Sequence, residues 1–477
     1  MAPAVPDMAW RRYYATVTRF GDASMGVLGH SGYPDVTICP ECSLFWPGEL
    51  LPPESIARLR GTMVWSTLAG TGTWSYSPLG YKRNEMLRFN DTSKCAEPPS
   101  VVDTRDYPRM FVTTQKLWMY VDGTLASASP KALTSFFLPL DPLIPNLPTC
   151  NVPGTESLRW LTGRTSAANV EHGGGNAVHL ICRDDVNPTI IKEVVYLMGG
   201  TYHFQDDGVC PDAGVPVTDV AEKMVAPHWD DPAAPTQGFW DDIGVADLKR
   251  SRVNANAVVL LDGSIVEVGG TGKNAAGVCV PRQTAEMYRP PEVFEELQGL
   301  TASQNPWLLL CTQLLVRQYH SVALLLPDGS VLTAGGTYDG EGYPAADARW
   351  RVEIYKPPYF FKTPRPSIVG IDDPVLGGGA VQPFAKSVLV TVRSRPGTGP
   401  KRLALLGSGS VTHAGDMNQR YVELKTLQET QVNSNTWDVT VQWPDDGFVA
   451  PPGWYLLTVV DDDDIPSVAK WVQITMP

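Results

Sequence analysis

The 477-residue chain has no run of eighteen apolar residues, so its sequence offers no membrane-spanning helix. Basic charge is scarce: Lys+Arg number 38 against Asp+Glu 51, a formal net charge of -13. A nucleic-acid or anionic-membrane partner needs a basic face, which excludes both. The opening stretch "MAPAVPDMAWRRYYAT" lacks the basic start and apolar core of a secretory signal. Histidine is rare too; with only seven, each can be weighed as a ligand.

What is present points to β structure. Gly 43, Pro 42 and Trp 14, with 19% charged residues, describe tight turns and aromatic-rich strands rather than long solvated helices. Eight scattered cysteines suit an extracellular protein with a few bridges, and the sequon Asn90-Asp91-Thr92 adds little to that. The expected compartment is extracellular.

The clearest signal is repetition. "VRQYHSVALLLPDGSVLTAGG" (316–336) reads as strand, Pro-Asp-Gly-Ser turn, strand and double glycine. "RVNANAVVLLDGSIVEVGG" (252–270) repeats it, and "RRYYATVTRFGDASMGVLGHSG" from Arg11 is a third copy. "YPRMFVTTQKLWMYVDG" from Tyr107 and "GGGNAVHLICRDDVNPTIIKEVVYLMGG" from Gly173 are weaker copies. Such spacing predicts an all-β, Kelch-type β-propeller, six or seven blades when intact, with residues 36–100 holding a further blade or an insertion. Pro357-Pro358, Pro364 and Pro366 mark a boundary, beyond which short strands predict an immunoglobulin-like sandwich. The expected domains are 1–360 and 361–477.

Tyr319 and His320 are adjacent, and mid-strand their side chains would point to opposite faces; from the strand's first residues both can serve one site. His413, in "LLGSGSVTHAGDMNQRYVEL", is expected at a turn tip between two strands. Imidazoles from two domains together with phenols suit a tetragonal copper(II) site. His172, His179 and His203 read as structural. Cys39-Pro-Glu-Cys42 reads as a local disulfide or two structural thiols. Asp461 to Asp464 lack the spacing of a calcium loop and are expected to form a solvated turn.

"RQYHSVALLLPDGSVLTAGG", "VTHAGDMNQRYVEL" and "VAPPGWYLLTVVDDDDIPSVAKWVQI" together resemble the copper radical oxidases, the galactose oxidase and glyoxal oxidase family, and most of all its glyoxal oxidase branch. The resemblance implies one mononuclear copper ion held by Tyr319, His320, His413 and, through "RRYYAT", Tyr14. It makes Tyr319 the axial phenol and general base, and Tyr14 the redox-active phenolate. The activity implied is oxidation of an aldehyde or primary alcohol by O2, giving H2O2, with a small aldehyde, alcohol or carbohydrate as substrate in a secreted monomer. In the family that tyrosine is joined to an earlier cysteine, and the thirteen residues before Tyr14 contain none. The expectation is a longer form carrying a cysteine-bearing first blade. The alternatives are an extracellular, carbohydrate-binding or wall-associated propeller that keeps a copper-site remnant without the radical, and a Kelch-type intracellular interaction module.

Overall fold

The computed structural model describes residues 174–184, 191–201, 216–226, 245–336, 351–372 and 384–475, with the short segments 16–19, 25–28, 64–66, 74–76, 102–103, 109–115, 117–125, 133–139, 159–161, 239–241 and 380–382. The described residues are strands and turns, with two short 3-10 turns at Glu295–Leu297 and Pro358–Phe361. They fall into two compact units, 1–171 with 227–239, and 172–226 with 240–477.

In the first unit, Thr16–Arg19 and Met25–Leu28 form the hairpin expected from "RRYYATVTRFGDASMGVLGHSG", with Thr16 opposite Leu28. Val64–Ser66 and Trp74–Tyr76 extend this sheet to four antiparallel strands. Part of the 36–100 stretch therefore supplies outer strands to the first hairpin. The Tyr107 copy is a hairpin as well, Arg109–Val112 against Leu117–Leu125.

In the second unit, Val253–Val259, Ile265–Lys273, Thr284–Tyr288 and Leu308–Thr312 follow one another across an antiparallel blade, with Cys279–Pro281 as a fifth strand on the end of Ile265–Lys273, and Ser321–Leu325, Val331–Gly335 and Glu353–Tyr355 form the next. Their turns share one chemistry. Asp262 Oδ1 accepts the Ser264 N–H at 3.0 Å and Asp328 Oδ1 the Ser330 N–H at 2.9 Å, with Gly263 and Gly329 at φ 88° and 87°.

The double glycines join neighbouring blades. Gly200 N–H donates to Arg252 O at 2.8 Å, and Gly270 N–H donates to Arg317 O at 2.7 Å. Added Cβ atoms at Gly199 and Gly269 would meet those same arginine carbonyls at 2.6 Å, so only glycine permits the approach. Each arginine then reaches back into its own blade: Arg252 bonds Gly269 O and Glu286, and Arg317 bonds Gly335 O, with Glu353 at 3.8 Å.

Beyond residue 365 a sandwich follows. Val388, Val390 and Val392 alternate inward on one strand, opposite Val439 and Val441, and pack with Leu405, Leu457 and Trp443. Burial at about 1.5–3 kcal/mol per large side chain makes this a self-sufficient core. The other sheet of the sandwich does not stop at its edge: Arg420–Glu423 runs parallel to the blade strand Asn176–Arg183, with His179 opposite Arg420. One hydrophobic cluster consequently spans Leu180, Tyr196, Val259 and Ile265 of the blades and Leu406, Tyr421 and Leu456 of the sandwich.

Candidate metal centre

The strand that opens the second hairpin does not begin at its arginine. Gln318 to Ser321 form a turn closed by Ser321 N–H donating to Gln318 O at 2.9 Å, with Tyr319 and His320 at its centre and His320 at φ 64°. Gln318 fixes the turn on two sides, its N–H donating to Gly336 O at 3.1 Å and its amide Nε2 to Thr271 Oγ1 of the preceding blade at 2.7 Å. Left-handed backbone is costly for histidine, about 1–2 kcal/mol. Its effect here is to place Tyr319 and His320 side by side, ring centroids 3.8 Å apart, with Tyr319 buried and His320 exposed.

His413 arrives on an even tighter turn. Thr412 and Gly415 exchange both backbone hydrogen bonds, at 3.0 and 2.8 Å, and the two residues between them, His413 and Ala414, sit at φ 49° and 65°. A turn with both central residues at positive φ normally selects Asn-Gly, so His-Ala here is a local strain held by its surroundings. The sandwich loop tip expected from sequence is this turn.

The two turns meet. His320 Nε2 and His413 Nε2 are 2.7 Å apart with their rings nearly perpendicular at 86°, and Tyr319 packs edge-on to His413 at 5.2 Å. Thr412 Oγ1 lies 2.8 Å from His413 Nδ1. Burial lowers the His413 pKa to about 4, with His320 as a second cause, and burial lowers that of His320 too, so both rings are neutral at pH 7 and each keeps a nitrogen lone pair.

This donor set fits a single metal ion. Two nitrogens each about 2.0 Å from an ion and at right angles to one another stand about 2.8 Å apart, which matches the observed imidazole pair. In the tautomer whose Nδ1–H donates to Thr412 Oγ1, it is the Nε2 lone pair of His413 that can hold such an ion. Among the described residues no group of three or more His, Cys, Asp and Glu side chains is arranged for a metal, and the donors that stand together here are two imidazoles beside a tyrosine ring. Tyr14, with Tyr13, Cys39, Cys42, Asn90, His172 and His203, lies outside the described residues.

Other candidates resolve differently. His179 is buried, with Nε2 2.7 Å from Glu193 Oε1, in the structural role expected of it. The Asp461–Asp464 turn is solvated at its tip, as expected, with Asp462 and Asp463 exposed, but its carboxylates are also engaged by the chain. Asp461 is fully buried and accepts from Arg395 Nε at 2.5 Å; Asp462 accepts the Gly399 N–H at 2.5 Å; Asp463 pairs with Arg395; Asp464 bonds Arg289 at 2.8 Å and Arg402 at 2.9 Å. Lys401 adds a fourth basic group, 3.2 Å from Asp464. Cys279 is disulfide-bonded, whereas Cys182 and Cys311 are free.

Comparison with known proteins places this geometry. Residues 365–474 match the family described as Galactose oxidase-like, Early set domain. Galactose oxidase of Gibberella zeae is 26% identical over 316 residues, covering 65% of this chain and 40% of that protein. Aldehyde oxidase GLOX1 of Arabidopsis thaliana is 28% identical over 237 residues, 47% of this chain and 36% of that protein. The chain thus spans about two-fifths of the length of these curated relatives. A solved structure, a novel fungal alcohol oxidase with catalytic diversity among the AA5 family in complex with copper, superposes with a TM-score of 0.62 over 99% of this chain and 77% of that one, at 17% identity. The resemblance read from the sequence is borne out: this all-β chain of blades and early-set sandwich is a relative of the galactose and glyoxal oxidases.

Proposed function

We propose that the protein is a copper-dependent oxidase that converts a small aldehyde or primary alcohol, with O2, to the more oxidised product and H2O2. The observation that carries this reading is the convergence of His320 and His413, from a blade and from the sandwich, at 2.7 Å beside Tyr319. In it, residues 1–360 are the propeller and 361–477 the sandwich, and His320, His413, Tyr319 and Tyr14 hold one copper ion. Copper, when bound, supplies a Lewis acid and a one-electron redox couple. Tyr319 takes the hydroxyl proton of the alcohol, or of the hydrate that the aldehyde forms with water, on its phenolic oxygen as general base. Tyr14 supplies the second of the two oxidising equivalents from its ring. Secretion is part of the reading, supported by the Cys279 disulfide, and the secreted form is read as a monomer.

The alternative reading is a propeller that holds copper but makes no peroxide. One assay separates the two. The purified protein, loaded with one equivalent of copper, is incubated with glyoxal, methylglyoxal or galactose, and peroxide is followed through a coupled peroxidase. Turnover on any of them supports the oxidase. Stoichiometric copper with no peroxide from any substrate leaves the binding protein, and no copper uptake sinks both.

A further inference from the structure

His413 lies on a strained turn of the sandwich, yet its ring must meet a histidine that belongs to a blade. A buried anchor close by in the chain does what the turn cannot do for itself. Gln419 Oε1 accepts the Val259 N–H at 2.5 Å, and its amide Nε2 donates to Ala257 O at 3.1 Å. Val253–Val259 is the edge strand of its blade, so the Gln419 amide takes the place of a neighbouring strand on those two backbone groups. Asn176 does the same one group further along, its Oδ1 accepting the Ala257 N–H at 3.1 Å.

Asp416 then ties the loop to that anchor. Its Oδ1 accepts three N–H groups, from Ser410 at 3.0 Å, Asn418 at 3.2 Å and Gln419 at 3.1 Å. One buried oxygen thereby fastens both ends of the 410–419 loop across the His413 turn. Val258 and Ala323, on the inner strands of two successive blades, line a small cavity with Asp416 and Gln419, so the base of the loop is seated between those strands. Neither Asp416 nor Gln419 touches the imidazole pair. Both are buried, and both act on the place where His413 emerges.

We propose that Gln419 and Asp416 are positioning residues for the metal centre: they lock the early-set loop to the edge of the Val253–Val259 blade, and that lock sets the distance of His413 from His320. The inference rests on the reading of His413 as a metal ligand. It assigns a defined task to two side chains that share no contact with the ion. A structural role alone would change stability and leave the two imidazoles in register; a positioning role changes the register.

The test uses the whole chain in four forms: wild type, Gln419→Met, which keeps length and removes both hydrogen bonds, Asp416→Ala, and Asp416→Asn, which keeps the accepting oxygen. Two readouts are taken. In the metal-free protein, with histidine labelled at its ring nitrogens, Gln419→Met is expected to shift the His320 and His413 resonances and leave that of the buried His179 in place. In the copper-loaded protein, electron paramagnetic resonance is expected to lose the coupling of one of two nitrogens in Gln419→Met and Asp416→Ala, with affinity weakened about 10–100-fold, the range of outer-shell partners. Asp416→Asn is expected to behave as wild type in both. Unchanged His413 resonances and an unchanged copper spectrum in a Gln419→Met protein of lowered melting temperature overturn the proposal. If wild type takes up no copper, the ligand reading fails, and the metal-free resonances still decide whether Gln419 sets the pair.

Discussion

Two hairpins of this protein share a frame and differ by one residue. Counted back from their double glycines, Ala255 faces Gly269 in one and Ser321 faces Gly335 in the other. In the first, two residues separate Arg252 from Ala255 and the strand starts at Val253; in the second, three separate Arg317 from Ser321 and the chain makes a turn instead. Asn254 and His320 occupy matching positions, at φ 56° and 64°. The first blade spends this position on structure, Asn254 N–H donating to Gly174 O at 2.8 Å. The added residue lets the second present Tyr319 and His320 together, which an extended strand forbids. A repeat can thus acquire a site without losing its arginine or its glycines.

The comparison breaks most sharply if the extra residue is removed. Deleting Gln318 restores the spacing of the first hairpin, and copper affinity should fall by about 100-fold or more, past the loss typical of an outer-shell change. Titration of the folded variant with copper, beside wild type, checks this; retained affinity would show that the turn is not what presents the pair.

A smaller effect separates the arginines. Arg252 is fully buried against Glu286 and Glu267, so Arg252→Met should cost about 3–5 kcal/mol by leaving buried carboxylates without a cation. Arg317 is equally buried, but Glu353 stands 3.8 Å away and is partly exposed, so Arg317→Met should cost about 1–3 kcal/mol, mainly its lost bonds to carbonyls. Urea denaturation of the two variants measures the difference, and equal losses would mean that the carboxylates do not distinguish the blades.

The smallest effect is a pH slope belonging to the first blade only. Glu267 sits where the second blade has Thr333, and burial raises its carboxyl to about 7, with Arg252 and Asn176 opposing and Glu286 adding to the rise. The folded chain there holds a proton that an ordinary carboxyl near 4.5 has released. This contribution to stability is present below pH 4.5 and is lost as the pH rises through about 7. Glu267→Gln should flatten the fall in melting temperature between those limits, whereas Thr333→Val should leave the slope as it is.

The hairpins were legible because turn chemistry and strand period are local. Pro-Asp-Gly-Ser and Leu-Asp-Gly-Ser fold alike wherever they occur, and the double glycines announce a backbone approach. The Tyr319–His320 pair was visible for the same reason, as a break in a pattern. His413 was legible as a turn tip, but its meeting with His320, 93 residues away, was suggested only by ligand type and by resemblance, since no spacing encodes it. Gln419 and Asp416 gave no signal: the one has its partners some 160 residues upstream, and the other reads as an ordinary loop acid. The solvated tip of the Asp461–Asp464 turn was legible, but its ion pairs were not, because Arg289, Arg395 and Arg402 are scattered in sequence and gather only in the fold.

The central claim is that His320 and His413 hold one copper ion between them. Calorimetric titration of the whole chain with copper(II), alongside His320→Ala and His413→Ala, tests it most directly. The account predicts one ion per wild-type chain and a comparable, large loss of affinity in each variant. Tight binding that survives in either variant, or wild type that takes up no copper, would contradict it.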